Sequence, residues 1–148
     1  MTTELLVRRF WDGYNEGDPK GMTELFSDDA RVEYVGEKRI TCRNKKEIGQ
    51  LFHNVIAKSK ERLASVMSCP KTILAREDIA AVEWSSTIAH KSGASFRVRG
   101  ISVFEVEGNR IQKMTVYIPT PTEKPFVLAD KLSIKDLGEL SLLAWAIV

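Results

Sequence analysis

Histidine and cysteine are scarce in this sequence, with two of each in 148 residues. Cys42 and Cys69 share no paired spacing, so a disulfide scaffold is excluded. They read as free thiols in a reducing compartment, and a cytoplasmic protein is expected. No grouping of His, Cys, Asp and Glu has the spacing of a metal site. No glycine-rich phosphate loop is present, and no cofactor is expected. Charge of one sign is equally lacking. The net charge is +2, and basic residues are interleaved with acids, which argues against a nucleic-acid partner. Long hydrophobic runs are missing too. The longest, LLAWAIV, falls far short of the roughly 20 residues of a membrane span. The opening MTTELLVRRF carries acid and base within two turns and does not read as a signal peptide. There are no repeats.

What is present is ordinary globular material, 43% hydrophobic and 28% charged, enough for one domain with a sizeable core. Leu6, Phe10 and Tyr14 recur at four-residue intervals beside Val7 and Trp11, predicting a helix capped by Thr2 or Thr3. Asn15 and Gly17 stop it, and Asp18-Pro19 starts a second, short helix at once. Asp28 and Asp29 read as a capping loop before a strand at Ala30–Val35 and a short strand ending at Cys42. Asn44 and Glu47 form a capping box for a third helix, with Ile48, Leu51, Phe52, Val55 and Ile56 as its apolar stripe. Period-two segments follow at Leu63–Ala75, where Pro70 suggests an edge or a bulge, and at Ile79–His90, Ala94–Glu107 and Ile111–Ile118, the last three divided by turns at Ser92-Gly93 and Gly108-Asn109. The expected fold is α+β: three N-terminal helices against a strongly curved antiparallel sheet that closes a cone. Residues 1–120 form the domain. Residues 121–148 form a proline-rich bend and a helix, whose stripe of Ile134, Leu137, Leu140, Leu143 and Ile147 is expected to pack on the domain or a partner subunit.

The segments YNEGDPKGMTELFSDDARVEYVG and GISVFEVEGNRIQKMTVY, in this order, resemble the nuclear transport factor 2-like superfamily, in its SnoaL-like and ketosteroid-isomerase-like branches. The resemblance covers about residues 4–118. It implies a cone-shaped, cystatin-like barrel with a pocket inside the cone, and a homodimer formed through the outer sheet face, here bearing Arg97, Arg99, Ile101, Val103 and Glu105. It also implies positions for catalytic groups, and this chain departs from them. The isomerase tyrosine and two aspartates align with Phe10, Tyr34 and Ser102. The Arg and Asp of the epoxide-hydrolase branch align with Trp84 and Ser86. No catalytic residue is assigned.

Strand and helix parity turn Phe10, Tyr14, Tyr34, Phe52, Trp84, Ser86, Val98, Ser102, Met114 and Ile118 inward. Among them Tyr14, Tyr34, Phe52, Trp84, Ser86, Ser102 and Met114 are the candidate ligand-binding residues. Buried hydroxyls need hydrogen-bond partners, and a ligand is one source of them. Two functions remain open. One is a binder of a small hydrophobic molecule, carbonyl-bearing or polycyclic, including isomerase, cyclase or dehydratase chemistry without the usual carboxylates. The other is a non-catalytic dimeric interaction module with a filled cone. His53 and His90 lie off the inward face.

Overall fold

The structure is a computed structural model and describes residues 1–36 and 39–118. The apolar stripe expected at 134–147, and the whole of 121–148, lie outside the described residues.

Helix α1 (Thr3–Glu16) begins at Thr2, whose hydroxyl accepts from the Leu5 amide at 3.2 Å. It ends at Gly17, which takes the left-handed conformation (φ 70°) that glycine adopts without a Cβ penalty. Helix α2 (Pro19–Glu24) follows immediately, with Asp18 Oδ1 accepting from the Gly21 amide at 2.9 Å. Asn44 caps α3 (Lys45–Arg62) by accepting from the Glu47 amide at 2.9 Å. The Glu47 carboxylate returns to the amide of Arg43, one residue before the cap, at 2.7 Å.

The strands are β1 (Phe26–Val35), β2 (Ile40–Cys42), β3 (Leu63–Ala75), β4 (Ile79–His90), β5 (Ser95–Glu107) and β6 (Arg110–Tyr117). They form one sheet in the order β2-β1-β6-β5-β4-β3, open at both edges rather than closed into a barrel. Four strands in a meander bring β6 back beside β1. That pair runs parallel, the one exception to the antiparallel arrangement expected. Asp28 and Asp29 correct the sequence reading. They lie within β1, not in a loop, across a register shift between Phe26 and Arg31. Asp29 accepts from the Gln112 amide of β6 at 3.2 Å, and Ser27 meets the same side chain at 2.7 Å. These pairings extend the strand past the residues whose turn propensity suggested a loop.

The core lies between the helices and the inner sheet face. Phe10 is the hub of its aromatic cluster. Its ring meets Trp11, Phe26, Phe52 and Phe104 at centroid distances of 5.2, 6.2, 5.8 and 5.6 Å, all edge to face.

Candidate functional site

The site is built on the last turn of α1. Tyr14 and Asn15 stand there just before the chain turns at Gly17. Tyr14 lines a cavity of about 200 Å³ together with Asn15, Ile56, Lys60, Leu63 and Val66. Its hydroxyl is buried and has no hydrogen-bond partner among the described residues. A buried hydroxyl left unpaired costs about 1–3 kcal/mol, so such a group calls for a reason.

Tyr34, on β1, is the electrostatic neighbour of Tyr14. Burial pushes both phenols far above their ordinary range. For Tyr14 a charge on Tyr34 adds to the effect, and for Tyr34 a charge on Cys42 does. Burial, with Glu47 nearby, raises the Cys42 thiol as well. All three groups are therefore held in their protonated forms at neutral pH. A protonated phenol donates a hydrogen bond to a carbonyl or enolate oxygen and does not act as a base.

The other inward residues fall into two sets. Phe52 and Met114 belong to the packed interior: Phe52 through the ring cluster, Met114 as the cross-strand partner of Phe104. Trp84, Ser86 and Ser102 are all fully buried, and their polar atoms are paired with protein. The Trp84 indole donates to Ser102 Oγ at 2.9 Å, and Ser86 Oγ donates to Ser68 Oγ at 2.8 Å. The hydroxyls of Ser86 and Ser102 thus find partners inside the protein. Tyr14, a partly buried residue, is the one whose buried polar atom has none among the described residues.

No carboxylate, imidazole, ammonium or guanidinium is among the buried side chains described; the buried polar residues other than tyrosine are Thr3, Ser68, Ser86, Ser102 and Thr115. His53 is exposed, and His90 is engaged with Ser92 at 2.7 Å in the β4–β5 turn. Among the described residues no three His, Cys, Asp or Glu side chains gather at one point. No described helix is long and apolar enough to cross a membrane.

Sequence reasoning missed Asn15 and Ser68 as site neighbours. Asn15 read only as a helix stop, yet its side-chain amide reaches across to Ser68 on β3, at 2.7 and 2.9 Å. A signal was present: Ser68 stands two residues before Pro70, and a proline inside a strand marks an edge or a bulge with backbone groups to satisfy.

Solved structures show the same architecture. An NTF2-like protein of unknown function from Burkholderia pseudomallei superposes with a TM-score of 0.65 at 15% identity, covering 78% of this chain and 88% of that one. An LEH-like epoxide hydrolase of M. tuberculosis gives 0.64 at 20% identity, covering 99% and 94%. An NTF2-like protein of unknown function from Cytophaga hutchinsonii gives 0.61 at 10% identity, covering 80% and 90%. At these identities the likeness is one of fold. No curated protein gives a significant match. Residues 7–114 match the SnoaL-like domain, and with the helix order, the sheet and these neighbours in agreement, the chain belongs to the SnoaL-like family of the NTF2-like fold.

Proposed function

We propose that this protein binds a small, neutral, hydrophobic molecule carrying an acceptor oxygen, such as a ketone carbonyl, and that the Tyr14 hydroxyl donates to that oxygen. The observation that carries the reading is the buried Tyr14 hydroxyl with no partner among the described residues. A ligand oxygen would supply the missing partner. Ile56, Leu63 and Val66 on the cavity lining favour a hydrophobic body; the charges on that lining, Glu16 and Lys60, are exposed and of opposite sign, which favours a neutral one. Tyr34 is the second donor within electrostatic reach. Isomerase, cyclase or dehydratase chemistry would need a group that takes a proton at neutral pH held against the ligand; none is among the buried side chains described, and Glu16, the carboxylate on the cavity lining, is exposed. Binding and carbonyl polarisation are therefore the proposed activity.

A naphthyl ketone fluorophore, whose emission moves to longer wavelength when its carbonyl accepts a hydrogen bond, tests this reading. It should bind the wild type with red-shifted emission. Tyr14→Phe should weaken binding about 2- to 10-fold, the equivalent of one hydrogen bond, and remove the shift. Equal affinity and equal emission would reject the site.

The outer sheet face favours a second, compatible reading, a two-fold interface between copies of this chain. Ile101 and Tyr117 are 49% and 47% exposed there. With Val35 they line a groove of about 650 Å³ beside Arg99 and Glu83. Half-exposed apolar residues among charges of both signs suit association with a second sheet.

A further inference from the structure

The Tyr14 phenol makes no hydrogen bond to a described residue, so its position must come from its neighbours. It also stands in the last turn of α1, where helices fray. The residues on either side of it are tied to one point on the sheet. Asn15 Nδ2 donates to the Ser68 carbonyl at 2.7 Å, and Asn15 Oδ1 accepts from the Ser68 amide at 2.9 Å. Trp11, one turn earlier, donates its indole N–H to Ser68 Oγ at 3.1 Å. Ser86, opposite Ser68 on β4, donates to the same oxygen at 2.8 Å.

Ser68 sits on β3, an edge strand of the sheet. Its outward backbone N–H and C=O would ordinarily pair with another strand or with water. The Asn15 amide offers one donor and one acceptor in the same spacing and takes the place of a strand peptide. The chain cannot extend this edge pairing regularly, because Pro70 lacks an N–H and the β3–β4 register shifts between Pro70 and Thr72. Ser68 is thus engaged through its amide, its carbonyl and its hydroxyl, twice by Asn15 and once by Trp11. Three hydrogen bonds from residues 11 and 15 fix the helix turn that carries residue 14.

We propose that Asn15 and Ser68 are positioning residues that hold the Tyr14 hydroxyl where it meets a ligand oxygen. This rests on the ligand reading of Tyr14 given above. Trp11 and Ser86 complete the clamp, and the clamp turns a frayed helix end into a fixed platform for one donor. Asn15 is itself exposed, so its replacement removes the two amide contacts without opening the core.

The test uses the full chain and the naphthyl ketone fluorophore, with Tyr14→Phe as reference. In Asn15→Ala the fluorophore should still bind through its apolar body. Its affinity should fall about 3- to 10-fold, and its emission should revert to that of Tyr14→Phe. Combining the two substitutions should add little further loss, because both remove one interaction. Asn15→Asp is the second variant. It keeps the shape and the acceptor for the Ser68 amide but presents a carboxylate to the Ser68 carbonyl. It should show the same loss of red shift with a smaller loss of thermal stability. A clamp that is merely structural would lower the melting temperature in both variants while leaving the red shift intact. That result would overturn the proposal and leave the Tyr14 reading standing. If Tyr14→Phe itself leaves affinity and emission unchanged, the ligand reading fails and the positioning role fails with it.

Discussion

The Trp84 indole donates to the Ser102 hydroxyl of the adjacent strand at 2.9 Å, and its ring occupies the space a side chain at Gly100 would need. A Cβ at Gly100 would overlap the six-membered ring of Trp84, so glycine is required by the close approach of that side chain. Trp84 has no accessible surface, and its ring thus occupies interior space at two strands at once. Ser102→Ala should leave the indole N–H unpaired in the core and destabilise the fold by about 1–3 kcal/mol in urea denaturation. Gly100→Ala should cost a comparable amount through overpacking and regain part of it when combined with Trp84→Phe. Additive losses in that double variant would show that the two positions do not touch.

Most of the fold was legible in the sequence, and the reason is periodicity. The stripe of Leu6, Phe10 and Tyr14 and the alternation through Ile79–His90 each have one face to bury, and the structure buries it. Caps at Thr2, Asp18 and Asn44 were equally legible, because each is a local side-chain contact with the backbone three residues on. Long-range pairing was not. Asp28 and Asp29 carry turn-forming side chains, but β6 recruits them into β1 through Gln112, a partner more than eighty residues away. The same limit applies to the site. Parity placed Tyr34, Ser86 and Ser102 inside, but no local pattern could tell that Ser86 would find Ser68, or that Asn15 would pair with a strand edge. Tyr14 separated from the other inward residues only when its missing partner became visible.

The buried phenols make a prediction about alkaline stability. Tyr14 and Tyr34 keep their protons in the folded state well above the ordinary tyrosine range near pH 10. The unfolded chain releases them above that pH and then binds fewer protons than the folded one. Stability contributed by these groups is therefore fully present below about pH 10 and is lost as pH rises further, by about 1.4 kcal/mol per pH unit for each phenol. Tyr14→Phe with Tyr34→Phe should flatten the fall of the melting temperature above pH 10. An unchanged slope would mean that the phenols ionise freely in the folded state.

Cys42 should resist modification at neutral pH. It is buried, and its thiol is held protonated by burial with Glu47 adding to the effect. An alkylating reagent should label it at a measurable rate only after denaturant is added. Rapid labelling of Cys42 in the folded protein would place the thiol at the surface and remove it from the neighbourhood of Tyr34.

The outer sheet face should be the contact between two copies. Light scattering at micromolar concentration should give a dimer, and Ile101→Glu, which puts a charge on the groove lining, should give a monomer with its fold retained. A wild-type monomer at that concentration would contradict the interface.

The most direct measurement of the central claim is the NMR signal of the phenolic ring carbon in protein labelled at tyrosine. The chain has three tyrosines, so three Phe variants assign the spectrum: Tyr14, Tyr34 and Tyr117. On addition of a saturating naphthyl ketone, the Tyr14 signal should move in the direction of a newly formed hydrogen bond. Tyr117, half-exposed on the outer face, should stay where it was. A Tyr14 signal that does not move while the ketone is bound would contradict the account.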